Sequence, residues 1–339
     1  MQNPAPQKYA QQKFVRKFRF LMKTPCQALC ILLAVSLVTA TAWGQTSDPA
    51  SKRYVDPLVQ RWQMGLILQG GDGASIGVTA AAPIPGNWPE QHVEIVGRDV
   101  TENVARVSFR DVADGARQMV ISIPRLEAGA TARAILTFEV TRSAIVAPSN
   151  PAAFVVPTRR TSELAPFLTD SPSIEARHVT IRNVAKEITA EAPQGWPQVE
   201  AIYDFVQDKL TYKEGDLKGA LDALKDGEGD CEAYTSLFVA LCRASGVPAR
   251  TVWVPGHCYP EFYLEDKAGN GYWMPCQSAG DREFGGMRDR RPILQKGDNV
   301  RLPEERKPLR YARAVMTIRD SQGRTPPTVE HVLRPSPKE

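Results

Sequence analysis

From about Trp62 to Val146 apolar and polar residues alternate with a period of two. Ala132, Ala134, Leu136, Phe138 and Val140 interleave with Arg133, Ile135, Thr137, Glu139 and Thr141. Met119, Ile121 and Ile123 repeat the rhythm, as do Ala105, Val107 and Phe109 against Arg106, Ser108 and Arg110. Successive side chains of a strand point to opposite faces, so this pattern describes strands with one buried face. Gly70-Gly71-Asp72-Gly73 and Pro85-Gly86-Asn87 supply turns between the runs. The pattern predicts an antiparallel, β-sandwich-like domain over residues 48–150. It contains no convergent set of polar residues that discloses a function.

The period then changes. Residues 151–173, with Pro151, Pro157, Pro166 and Pro172, read as a linker ending in Asp170-Ser171-Pro172, a cap-and-proline helix start. Ile174, His178, Ile181, Ala185 and Ile188 recur at helical spacing, and Val199, Ile202, Tyr203, Val206 and Leu210 do so again. After Cys231, the residues Tyr234, Leu237, Phe238, Leu241 and Cys242 form the stripe of a third helix, stopped by Ser245-Gly246-Val247-Pro248. Short β-rich segments follow at 251–254, 257–264 and 271–276, with a turn at 265–270. Residues 277–308 read as irregular, 310–318 as one more strand and 321–339 as a mobile tail. Helices followed by an antiparallel sheet make residues 174–320 an α+β domain.

The ends change the meaning of the composition. Lys8, Lys13, Arg16, Lys17, Arg19 and Lys23 precede an apolar run from Ala28 to Val38, and Ala40-Thr41-Ala42 has the form of a signal peptidase site. Residues 1–42 therefore read as an export signal, with Met22 as an alternative start. No later segment approaches 18 uninterrupted apolar residues, which excludes an integral membrane helix after signal removal. The formal charge of +4 also changes once those six basic residues are removed, because 36 basic residues then face 38 acidic ones. No basic field remains to suggest nucleic acid. Cys231, Cys242, Cys258 and Cys276 remain, in a periplasmic or extracellular setting where disulfides can form.

Candidate chemistry centres on Gly229-Asp230-Cys231-Glu232-Ala233-Tyr234. A cysteine at a helix start meets unpaired N–H groups and the positive end of the helix dipole, both of which favour thiolate. Of four histidines, His92 lies in the β-rich half, His178 on a predicted helix and His331 in the tail. His257 alone shares a module with Cys231.

The ordered set Ile202-Tyr203-Asp204-Phe205-Val206, Gly229-Asp230-Cys231, Leu237 to Arg250, His257-Cys258-Tyr259-Pro260-Glu261 and Tyr272-Trp273-Met274-Pro275 resembles the transglutaminase-like superfamily of papain-like cysteine enzymes over roughly 174–277. The layout is similar to exported bacterial members that carry a β-rich domain ahead of the catalytic one. The resemblance implies that Cys231 is the nucleophile, His257 the base, and position 277 the residue that orients the base. It implies a protein or peptide substrate, a thioacyl intermediate resolved by water or an amine, and no cofactor. Gln277 stands where the family has an acid. An amide can still accept from a ring N–H, but it brings no charge to stabilise imidazolium.

Two other readings remain open. Gln277 fits a catalytically weak or inactive papain-like module that binds peptide. The four cysteines and His257 could hold zinc, although no Cys-x₂₋₄-Cys pair is present. The family placement of Gln277 beside His257 carries one more expectation. If the two face each other across antiparallel strands, Cys258 stands opposite Cys276, near enough to bridge, with both thiols turned from the catalytic face.

Overall fold

A computed structural model describes residues 53–112 and 115–337. The proposed export signal, residues 1–42, lies outside the described residues. The front half is six strands: β1 (Tyr54–Gln69), β2 (Ser75–Ile84), β3 (Gln91–Val100), β4 (Arg106–Val112), β5 (Ala116–Leu126) and β6 (Thr131–Ile145). β1 and β3 flank β6 in one sheet, while β2 and β4 flank β5 in another. Between the sheets lies a core that includes Met64, Leu66, Leu68, Ile121, Ile123, Leu136 and Phe138, all at most 1% exposed. The alternation read in the sequence is therefore the inner face of a sandwich.

The second half begins with helices α1 (Val179–Ile188) and α2 (Trp196–Lys209), then β7 (Thr211–Tyr212), α3 (Ala220–Asp226) and β8 (Glu228–Gly229). α4 (Cys231–Ala244) follows, and then the antiparallel strands β9 (Ala249–Val254), β10 (His257–Glu265) and β11 (Gly271–Gln277). From Leu237 to Cys242 every residue of α4 is fully buried. A helix that is apolar all round belongs in the middle of a fold. Here α1, α2 and α3 pack on one side, and Phe262, Leu264, Met274 and Cys276 of the sheet pack on the other.

Three sequence expectations change. Asp170-Ser171-Pro172 starts no helix: Ser171 and Ile174 pair in a tight turn, and α1 starts at Val179 with His178 Nδ1 capping Thr180 N. A third helix, α3, precedes the cysteine helix. Its few turns gave little periodicity, and Gly219 and Gly227 enclose it.

The third change is at the C-terminus. Beyond β12 (Glu283–Phe284), β13 (Gln295–Lys296), β14 (Val315–Thr317) and β15 (Asp320–Ser321), the expected mobile tail forms β16 (Thr328–Pro335). β16 pairs antiparallel with β1 from Trp62↔Pro335 to Gln69↔Thr328. It satisfies the edge of β1 and buries Val332. Deleting residues 322–339 is expected to cost at least about 2 kcal/mol, from the loss of Val332 burial and of the partial burial of Val329 and Leu333. Urea unfolding measures it, and an unchanged midpoint would show the strand to be dispensable.

The two halves share one sheet, because Gln295 of β13 pairs both with Trp253 of β9 and with Ala116 of β5. Among the described residues no helix is long and apolar enough to cross a membrane.

Candidate active site

The turn before α4 is built for its position. A Cβ on Gly229 would stand 2.3 Å from the Ala233 Cβ, so glycine allows the chain to enter the helix tightly. Asp230 Oδ1 accepts from Glu232 N (3.0 Å) and Ala233 N (3.1 Å), closing the first turn. Cys231 is left as the first helical residue, half-buried at a cavity of about 600 Å³. β8 runs parallel to β7 here, which places Tyr212 on the cavity rim.

The structure brings the three sequence candidates together. His257 opens β10 and lines the same cavity as Cys231. Its Nε2 lies 3.0 Å from Gln277 Oε1, at the end of β11. A carbonyl oxygen can only accept, so Nε2 carries the proton and Nδ1 is the basic nitrogen left for the thiol. Gln277 is anchored by its own carbonyl, which accepts from Tyr203 Oη (2.7 Å) and Gln207 Nε2 (3.3 Å). Tyr203 Oη also accepts from Glu283 N, at 3.1 Å.

The Cys231 thiol is held far below the usual range, at about 4. The first cause is a hydrogen bond from the Cys258 thiol. Burial works against the shift, and hydrogen bonds from His257 and the Cys258 backbone, with the His257 charge, complete it. The Cys258 and Cys276 thiols shift the other way, pushed well up by complete burial. Asp289, held charged by Arg291, is near enough to His257 for the imidazole to contribute to that charge.

The expected strand register does not hold. Glu261 pairs with Pro275 and Phe262 with Met274, two residues out of step with a His257–Gln277 pair. Cys258 consequently faces Trp253 across β9, and Cys276 faces Phe284 across β12. Both cysteines are free. The Cys258 thiol does not turn away from the catalytic face either: it hydrogen-bonds Cys231 and lies 3.7 Å from Thr235 Oγ1, one turn further along α4. The β10–β11 ladder ends at Glu261/Pro275, and the end of β11 pairs instead with β12, Gln277 opposite Glu283, from where the Gln277 side chain reaches His257.

Sequence reasoning missed the rest of the cavity. Trp253 and Tyr311 form aromatic walls, and β16 contributes His331 and Leu333. His331, set aside as a tail residue, hydrogen-bonds the Pro83 carbonyl, and burial lowers its pKa and keeps it neutral. Its Nε2 is buried without a partner among the described residues. Arg310 ties the wall to α4, bonding Ser236 Oγ at 3.0 Å and Glu232 at 3.3 Å while lying over the Trp253 ring. Nothing local in the sequence signals His331 and Leu333, since the long-range pairing of β16 with β1 brings them in. Among the described residues no three His, Cys, Asp or Glu side chains are grouped to hold a metal ion.

Residues 182–278 match the family model of the Transglutaminase-like superfamily. A solved structure from Cytophaga hutchinsonii, described as a "Putative Cysteine Protease", aligns with a TM-score of 0.56 at 15% identity, covering 84% of this chain and 93% of that one. At that identity the likeness speaks for the fold alone. The periplasmic domain of TgpA from Pseudomonas aeruginosa aligns with a TM-score of 0.31 at 12% identity, covering 67% of this chain and 91% of that one. No curated protein sequence matches the chain. The helix bearing Cys231 and the strands bearing His257 and Gln277 thus lie within the stretch that matches the transglutaminase-like superfamily, set behind a β-rich region.

Proposed function

We propose that the protein is an exported cysteine enzyme that acts on amide bonds of proteins or peptides through a thioacyl intermediate. The observation that carries this reading is a thiolate at a helix N-terminus beside a histidine whose far nitrogen is held by Gln277. The Cys231 thiolate attacks the amide carbonyl, and the Cys231 N–H, free at the helix start, donates to the developing oxyanion. Protonated His257 gives its proton to the leaving amine as the C–N bond breaks, leaving a thioester on Cys231. Water or an amine, deprotonated by His257, then releases the acyl group and regenerates the thiolate. The open cavity with aromatic walls suits an extended peptide. The signal pattern of residues 1–42 supports export, to the periplasm or beyond.

The test is trapping. A peptide amide that is turned over should leave an acyl adduct on Cys231 in acid-quenched wild type, seen by intact mass. Cys231→Ala should show neither adduct nor turnover, a loss of at least about 10⁴-fold. The absence of charge at Gln277 favours a second reading, a peptide-binding module without turnover. Peptide binding by wild type with no adduct on Cys231 would select that reading.

A further inference from the structure

Behind the catalytic face, buried positive charge exceeds its partners. Glu261 of β10 accepts from Arg250 Nε (2.9 Å) and Nη2 (2.7 Å) and from the Lys296 ammonium (2.7 Å). Lys296 also reaches Glu90 at 2.6 Å, and Arg142 Nη1 stands 3.6 Å from the same carboxylate. Arg53, only 5% exposed, joins them; among the described residues its side chain bonds the carbonyl oxygens of Val146 and Gly285, each at 3.4 Å. Among the described residues Arg53, Arg142, Arg250 and Lys296 therefore face two carboxylates, an excess of two positive charges. Donors are in excess as well, since Arg142 Nε and the indole N–H of Trp88 are buried without partners among the described residues.

Arg53, Arg250 and Lys296 line a cavity of about 170 Å³ at the junction of the sandwich and the papain-like half. Its walls include the rings of Trp88 and Trp273, and the Arg250 guanidinium lies 3.9 Å from the Trp273 ring centre. No residue is shared with the lining of the catalytic cavity. Buried charge without a counter-charge is costly, and burial pulls the Arg53 pKa down. An anion supplies both the missing charge and acceptor lone pairs, and a guanidinium fork matches the two oxygens of a carboxylate. Flat aromatic walls favour a planar body behind that carboxylate.

We propose that this cavity is a second site, which binds a small planar carboxylate through Arg53 and Arg250 between apolar walls supplied by Trp88 and Trp273. The volume, a few water molecules' worth, admits a free acid and not a peptide chain.

Titrating benzoate into the full chain, followed by calorimetry and by the thermal midpoint, tests the site. Saturable benzoate binding is expected, tighter than that of inorganic phosphate. Arg53→Met should weaken it at least about tenfold, the scale of one charged hydrogen bond, without lowering the midpoint of the unliganded protein. Arg53→Lys keeps the charge, removes the fork, and gives the same loss of binding should Arg53→Met not fold. Cys231→Ala should bind benzoate as wild type does, which separates this site from the catalytic reading. A short peptide ending in a free phenylalanine carboxylate should not compete. No saturable benzoate binding, equal binding in both Arg53 variants, tighter phosphate binding, or competition by the peptide would each overturn the proposal.

Discussion

Alkylation of Cys231 should proceed at a nearly constant rate from pH 8 to about 5 and fall only as the pH passes through about 4, where the folded thiol takes up its proton. An ordinary cysteine would instead lose reactivity roughly tenfold per unit below about 8.5. The Cys258 thiol and His257 both favour the thiolate, so Cys258→Ala and His257→Ala should each raise the midpoint. Mass spectrometry of the labelled peptide across pH reads both shifts. A wild-type midpoint near 9 would remove the thiolate from the mechanism.

The same shift enters stability with a defined sign. The folded pKa lies below the unfolded value, so the contribution is complete above about 9, declines as pH falls, and is gone below about 4. The stability difference between wild type and Cys231→Ala should therefore grow in favour of wild type between those limits. In the proposed mechanism Gln277 acts through His257, as a positioning residue. Gln277→Ala should slow alkylation at pH 6, because nothing then fixes the ring tautomer. Gln277→Asp should not slow it, since a carboxylate accepts the same hydrogen bond and favours imidazolium.

What the chain reveals locally it reveals well. Period-two alternation identified the sandwich strands because one face of each is buried and the other wet, and Ala132, Ala134, Leu136, Phe138 and Val140 are all buried in the same core. The nucleophile helix was legible from Asp230, its apolar stripe and its glycine stop. The lost information is non-local. No periodicity tells a strand at the C-terminus that its partner is β1, so His331 and Leu333 could not be placed beside Cys231. Register was lost for a related reason: proximity of His257 and Gln277 does not require them to be directly opposed, and the β10–β11 ladder runs two residues out of step with that pairing and stops short of Gln277. The Gln277 carbonyl is held by Tyr203 and Gln207 of α2, a long-range contact that no local pattern in either segment announces. The buried charges behind the sheet were unreadable too, because Arg53, Glu90, Arg142 and Lys296 look like ordinary surface residues until the fold gathers them.

The largest stability effect is expected far from the thiol. Arg243, at the last turn of α4, and Asp298 form an ion pair with side-chain exposures of 0% and 3%. Arg243 Nη2 reaches both oxygens of Asp298 at 2.9 and 2.8 Å, its Nε donates to Ala249 O, and its Nη1 donates to Thr169 O and Ser171 Oγ. Asp298 also accepts from Ser171 Oγ at 2.6 Å and Thr251 N at 3.1 Å. The pair thus fastens the helix to the first strand of the catalytic sheet and to the proline-rich connection before α1. Removing one partner leaves the other charged in a dry site, so Asp298→Ala should lose about 3–5 kcal/mol in urea unfolding, a large part of the 5–15 kcal/mol typical of a domain. Removing both with Arg243→Met and Asp298→Leu should recover much of that loss, because no unpaired charge then remains. A single-variant loss below about 1 kcal/mol would show that the site hydrates or rearranges freely. Arg243 lies twelve residues beyond Cys231, about 18 Å along the helix at 1.5 Å per residue. The folded fraction of Asp298→Ala should accordingly keep the wild-type pH profile of Cys231 alkylation, so the bracket holds the helix without tuning its nucleophile.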